Sequence, residues 1–157
     1  MEVKYPMENR KGNILIVDDD ETICETITLI LENEGFNADL ARNGKEALEK
    51  VRSKYYDVAL LDIKLPDMEG TYLLRAIKEL MPTTIKIMLT GYPELRTSID
   101  ALNWGADAYL TKPISPCEII KTIEEKLGKV AEARTMTEQK MSVFLKERTQ
   151  KLLQESE

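Results

Sequence analysis

Short apolar runs alternate along this chain with longer stretches in which apolar residues recur every three or four positions. Ile14-Leu15-Ile16-Val17 is an unbroken, β-branched-rich run, the pattern of a strand covered on both faces. After it, Ile23, Ile27, Ile30 and Leu31 fall at helical spacing as far as Gly35, a helix stop. Phe36 to Leu40 predicts a second strand, and Asn43-Gly44 opens a helix through Ala47, Leu48 and Val51. Val58-Ala59-Leu60-Leu61 predicts a third strand. The loop Lys64 to Met68 follows, then a helix through Leu73, Leu74, Ile77 and Leu80 that Pro82 closes. Ile85 to Leu89 predicts a fourth strand, followed by a helix through Leu95, Ile99 and Leu102 and a short fifth strand, Ala108-Tyr109-Leu110. Pro113 breaks the chain before a last amphipathic helix marked by Ile119, Ile120, Ile123 and Leu127.

Five strand-then-helix units predict an α/β fold, a doubly wound five-stranded parallel sheet with helices on both faces. In such folds the functional crevice lies beyond the carboxyl ends of the strands. From Lys129 the pattern changes. The stretch to Glu157 has no glycine or proline and only sparse apolar residues: Val130, Met136, Met141, Val143, Phe144, Leu145, Leu152 and Leu153. It predicts a helical extension of the last helix. The expected organisation is therefore an N-terminal tail over 1–11, one globular domain over 12–128 and a helical extension over 129–157.

Composition narrows the function classes. At 43% hydrophobic and 32% charged residues, the chain has enough apolar material for a core and is not of disordered type. Its net charge of −6 argues against a domain whose main work is neutralising nucleic-acid phosphates. There is no histidine, which excludes a histidine base, a histidine zinc site and a phosphohistidine on this chain. Two cysteines, Cys24 and Cys117, form no disulfide framework and match no metal spacing, so a reducing, cytoplasmic setting is expected. Met1 to Gly12 lacks an apolar signal core, and no run approaches membrane-spanning length.

The chemistry-bearing residues stand immediately after the strands. The first strand ends in Asp18-Asp19-Asp20, the third in Asp62, the fourth in Thr90 and the fifth in Lys112-Pro113. Parallel strands would gather them on one edge of the sheet. Carboxylates ~4 Å apart repel by about 4 kcal/mol per pair at an effective dielectric near 20. Raised pKa values or a bound divalent cation relieve that repulsion. Oxygen-only ligands favour a hard ion such as Mg²⁺, while Lys112 and the Thr90 hydroxyl suit phosphoryl oxygens. Taken singly, each residue has an ordinary reading: Asp20 or Glu21 caps the first helix, Lys-Pro makes a turn, and threonine ends a strand. Together they read as carboxylate, metal and phosphate.

The chain resembles the receiver domain of two-component response regulators over roughly residues 12–128. The matching segments are Ile14-Leu15-Ile16-Val17-Asp18-Asp19-Asp20, Asp62-Ile63-Lys64-Leu65-Pro66-Asp67-Met68-Glu69-Gly70, Thr90-Gly91, and Lys112-Pro113 after Tyr109. The resemblance implies a flavodoxin-like (βα)5 fold. It implies Asp62 as phosphoacceptor, attacking a phosphohistidine on a partner histidine kinase or phosphotransfer protein. Asp18, Asp19, Asp62 and the backbone carbonyl of Lys64 would hold Mg²⁺ (or Mn²⁺). Lys112 would pair with the phosphoryl group or, before phosphorylation, with Asp62. Thr90 would move toward a phosphoryl oxygen and Tyr109 would swing inward, reshaping the face built from the helix after the fourth strand, the fifth strand and the last helix. Cys24, Glu25 and Thr28 on the first helix would face the kinase.

Within that family the chain reads as a stand-alone receiver with no separate output domain, signalling through a downstream protein or a phosphorelay rather than through nucleic acid. The extension is open to three readings: a solvated helix, a homodimerisation helix or a docking element. Val130, Thr137, Met141, Phe144 and Leu152 approximate a heptad seam, interrupted by Arg134, Arg148 and Lys151. A rival enzyme reading also exists. Asp18-Asp19-Asp20-Glu21-Thr22 fits the D-x-D-x-T pattern of haloacid-dehalogenase-like phosphatases, with Asp18 as nucleophile, but leaves Asp62 and its Leu-Pro loop unexplained. The side chains of Lys64 and Tyr92 flank the expected path of attacking water. Lys64→Ala and Tyr92→Ala are each expected to change the half-life of the aspartyl phosphate, read by phosphate release from the phosphorylated protein.

Overall fold

The computed structural model describes residues 11–91 and 105–155. Tyr92 and the helix expected through Leu95, Ile99 and Leu102 lie outside the described residues. Five strands, β1 (Asn13–Val17), β2 (Asn37–Ala41), β3 (Val58–Asp62), β4 (Ile85–Thr90) and β5 (Ala108–Thr111), form one sheet in the order β2-β1-β3-β4-β5, with every neighbouring pair parallel. The helices are α1 (Glu21–Asn33), α2 (Gly44–Ser53), α3 (Gly70–Leu80) and α4 (Pro116–Glu155). This is the doubly wound parallel sheet that the apolar pattern predicts, in the flavodoxin-like order that the resemblance implies.

Local chemistry sets the element ends. Asp20 caps α1 by accepting from the Ile23 N–H at 3.2 Å, and Asn43 caps α2 by accepting from the Glu46 N–H at 2.7 Å. α1 stops in a Schellman motif. The Gly35 N–H donates to the Glu32 carbonyl and the Phe36 N–H to that of Leu31, which requires the positive φ of +95° at Gly35. β2 accordingly starts at Asn37, one residue later than expected, because Phe36 completes the helix exit as a fully buried anchor.

The central strands are buried on both faces, as their continuous apolar runs demand. On one face Leu15, Val17, Ala59, Leu61 and Met88 pack with Ala47 and Val51 of α2 and with Leu73, Leu74 and Ile77 of α3. The alternate strand residues Ile14, Ile16, Leu60 and Ile87 are equally buried and point to the opposite face. Cys24, Ile27 and Leu31 of α1 and Ile119 and Ile123 of α4 are also buried. At the amino end of β4, Lys86 is only 3% exposed. Its Nζ donates to the Thr84 carbonyl at 2.6 Å and lies 3.8 Å from the Asp107 carboxylate. Burial lowers its pKa against the pull of Asp107, and the pair ties β4 to the segment entering β5.

The chain divides into two compact units, residues 1–123 and 124–157. Every residue from 128 to 155 is exposed, with Phe144, Leu145, Leu152 and Leu153 each more than half exposed. No described helix is long and apolar enough to cross a membrane. Leu60→Ala in the central strand is expected to cost about 2–5 kcal/mol of stability, whereas Leu152→Ala on the extension should stay within about 0.5 kcal/mol. Urea unfolding of the two variants measures the difference.

Candidate functional site

β1 lies between β2 and β3, so the order of the sheet reverses at β1/β3, where doubly wound folds such as flavodoxin place their ligands. The register brings the strand ends level: Val17 pairs with Leu61, Asp62 with Leu89, and Thr90 with Thr111. Asp18 and Lys112, each one residue past its strand, reach the same edge. Asp18 is 1% exposed. Its Oδ1 accepts from the Asp20 N–H at 2.9 Å, and its Oδ2 from Lys112 Nζ at 2.7 Å. The same ammonium lies 3.5 Å from Asp62 Oδ2. One carboxylate oxygen from each of Asp18, Asp19 and Asp62 lies within 4.8 Å of the other two.

The remaining expected residues surround this cluster. The Lys64 N–H donates to Asp62 Oδ1 at 3.4 Å, its side chain is exposed, and its backbone forms an antiparallel β-bridge with that of Glu69 across the loop. Thr90 is buried, and its carbonyl accepts from the Lys112 N–H at 2.6 Å. Tyr109 is partly buried against the cluster shared with α2 and α3, and its hydroxyl is buried with no hydrogen-bond partner among the described residues.

One sequence expectation is extended and one needs correction. The structure brings Lys112 to Asp62, the expected partner, and to Asp18 as well. The ammonium lies closer to Asp18, the more buried carboxylate. Cys24 cannot face a kinase, because it is buried and its Sγ donates to the Asp18 carbonyl at 3.2 Å. Burial, with the nearby Asp18 charge, pushes its thiol up to about 11. Glu25 remains exposed on α1.

The electrostatics follow from this crowding. Burial and the Asp18 charge raise the Asp62 pKa, and Lys112 only partly opposes them. For Lys112, burial alone would lower the pKa, but its contacts with Asp18 and Asp62 outweigh it and raise the value. Three carboxylates and one ammonium leave a formal charge of −2, which a divalent cation balances. The donors are all oxygens, so the residues fit a hard ion. The loop after Asp62 is held tightly at its base. The Gly70 N–H donates to the Ile63 carbonyl at 2.6 Å, and a Cβ at Gly70 would meet the Asp62 carbonyl oxygen at 2.0 Å. The closing glycine is therefore a steric requirement of the loop.

The sequence profile of the response regulator receiver domain matches residues 14–124. This chain belongs to that family. A receiver domain protein (CheY-like) from Methanospirillum hungatei JF-1 is 45% identical, with a TM-score of 0.75 over 77% of this chain and 97% of its own. A response regulator from Burkholderia pseudomallei, whose structure has a phosphorylated aspartic acid, a calcium ion and citrate, is 28% identical, with a TM-score of 0.70 over 79% of this chain and 73% of its own. The transcriptional regulatory protein ZraR of Escherichia coli O157:H7 is 36% identical over 116 residues, 74% of this chain and 26% of the relative. This receiver spans between about a quarter and a half of the length of the curated relatives it matches. The expectation that it stands alone draws no support from them.

Receiver domains are phosphoacceptor signalling domains of two-component systems, working with histidine kinases and downstream targets and binding Mg²⁺ or Ca²⁺ at an acidic pocket. The phosphatase reading has no support: the family match and the relatives are those of response regulators, and the third strand ends in Asp62 as that family requires.

The raised Asp62 pKa has a measurable sign. The folded protein keeps a proton on Asp62 above the ordinary value of 3.8, so stability falls as pH rises through that window and stays reduced at neutral pH. Without divalent cations, Asp62→Asn is therefore expected to melt above the wild type at neutral pH. The gap should close as pH falls below 3.8. Thermal melts across pH check both.

Proposed function

We propose that this receiver accepts one phosphoryl group on Asp62 from the phosphohistidine of a kinase or phosphotransfer protein. The observation that carries the reading is the gathering of Asp18, Asp19 and Asp62 around one small volume, bridged by Lys112. Asp18, Asp19, Asp62 and the Lys64 backbone carbonyl would hold Mg²⁺ (or Mn²⁺), which supplies positive charge to the phosphoryl oxygens when bound. An Asp62 carboxylate oxygen attacks phosphorus, the P–N bond breaks, and its electron pair leaves with the partner's imidazole. Lys112, already at 3.5 Å from Asp62, turns from the carboxylate to a phosphoryl oxygen.

The response then runs through Thr90 and Tyr109. Phosphorylation adds three strong acceptors beside a buried hydroxyl donor, enough to draw the Thr90 side chain toward the site. Tyr109 follows into the space Thr90 leaves. Its buried hydroxyl, without a partner among the described residues, supports a ring able to change position.

The receiver comprises residues 12–128 in this reading, with 129–157 appended as a helix whose exposed apolar side chains suit a protein contact, a second copy included. The acidic receiver acts in the cytoplasm through proteins, namely the kinase and a downstream target, rather than by gripping nucleic acid itself.

Intact mass after incubation with a small phosphodonor and Mg²⁺ tests the reading. One Mg²⁺-dependent adduct is expected on the wild type and none on Asp62→Asn. An adduct that survives Asp62→Asn and is lost in Asp18→Asn would overturn it.

A further inference from the structure

We propose that Asp67 is a positioning residue. Its carboxylate fastens the tip of the Lys64–Glu69 loop to the start of α2 and so fixes the place from which the Lys64 carbonyl meets the metal. The proposal rests on the metal reading given above.

Both oxygens of Asp67 are engaged. Oδ1 accepts from the Gly44 N–H at 2.8 Å and Oδ2 from the Lys45 N–H at 2.9 Å, across 22 to 23 residues of chain. These are the first two N–H groups of α2, and the bonds hold the Asp67 carboxyl below its ordinary range. The helix does not depend on them for its own start. Asn43 already accepts from the Glu46 N–H as the N-cap, and the Glu46 side chain accepts from the N–H of Arg42, the residue before the cap, at 3.2 Å. Lys45 is exposed, so water can satisfy its N–H, and Gly44 is buried beneath the loop's own Met68. The Asp67 bonds therefore act chiefly on the loop.

Packing reinforces the clasp. A Cβ at Gly44 would stand 2.2 Å from Met68 Sδ, so the loop lies directly on the first residue of α2. Its base is closed by the Gly70 N–H to Ile63 carbonyl bond and the Lys64–Glu69 bridge. Pro66 removes a further backbone freedom between Lys64 and Asp67. A loop tied only at its base leaves the Lys64 peptide free to rock, and a metal must then stop that motion on binding. Tied at the tip as well, the loop has its ordering settled on folding, so the metal site is preorganised.

The test uses the full chain and four proteins: wild type, Asp67→Ala, Asp67→Asn and Asn43→Ala. Calorimetric Mg²⁺ titration should give about tenfold weaker binding for Asp67→Ala, the range seen when outer-shell partners of a metal site are lost. Phosphorylation by a small phosphodonor should slow in the same variant at low Mg²⁺ and recover at saturating Mg²⁺. Asp67→Asn keeps one acceptor oxygen and should restore part of the affinity. Asn43→Ala removes a cap of α2 without touching the loop, and should lower the melting temperature while leaving Mg²⁺ affinity unchanged. Unchanged affinity in Asp67→Ala, or an equal loss in Asn43→Ala, would overturn the positioning role while the metal reading stands. A wild type that binds no Mg²⁺ would overturn the metal reading and this proposal with it.

Discussion

The ammonium of Lys112 between Asp18 and Asp62 is the interaction on which the rest of the site turns. A parallel sheet with its register fixed by buried side chains cannot spread its strand ends, so β1 and β3 deliver their carboxylates to one place whether or not the charges agree. Lys112 makes that tolerable. Its 2.7 Å contact goes to the carboxylate that is 1% exposed and its longer contact to the one with more access to water. Removing one partner of a buried ion pair leaves an uncompensated charge, which costs more than the pair itself contributes. Loss of Lys112 would leave two crowded carboxylates uncompensated, whereas loss of the Asp62 charge relieves repulsion; the residual −2 is of the right sign and size for a divalent cation.

Tight steric constraints meet a loose element in this receiver. Around Asp62 the backbone has almost no freedom: Gly70 lies against its carbonyl and Gly44 lies under Met68. On β5, the Tyr109 hydroxyl is buried without a partner among the described residues, a state that costs about 1–3 kcal/mol. Rigid geometry where charge is handled, and an unsettled side chain on the strand that leads to Lys112, are complementary requirements. The first keeps reacting atoms aligned; the second lets a change of a few kcal/mol at the site select another arrangement.

Much of this was legible in the sequence because burial on both faces leaves a plain signature. The runs at Ile14, Val58 and Ile85 marked the three central strands, and the residues just past each strand named the cluster. What escaped depended on partners distant in the chain. Asp67 reads as an ordinary loop residue until α2 is placed beside it. Cys24 sits among polar neighbours on α1 and looked available, yet the turn of the helix aims it at the Asp18 carbonyl. Lys86 interrupts an apolar strand and reads as a solvent-facing position, but the Thr84 carbonyl and Asp107 receive it in the interior. Phe36 joined β2 by propensity, whereas the Schellman turn at Gly35 assigned it to the helix exit.

The Lys112–Asp18 contact joins residues 94 apart in the chain. The long loop it closes costs entropy that is recovered only when β3 and β4 stand between β1 and β5. No fragment ending before β5 contains the bridge, and the four charged groups meet only when β1, β3, β4 and β5 are aligned, the edge strand β2 carrying none of them. Competence for chemistry at this edge is thus a mark of assembly across those four strands.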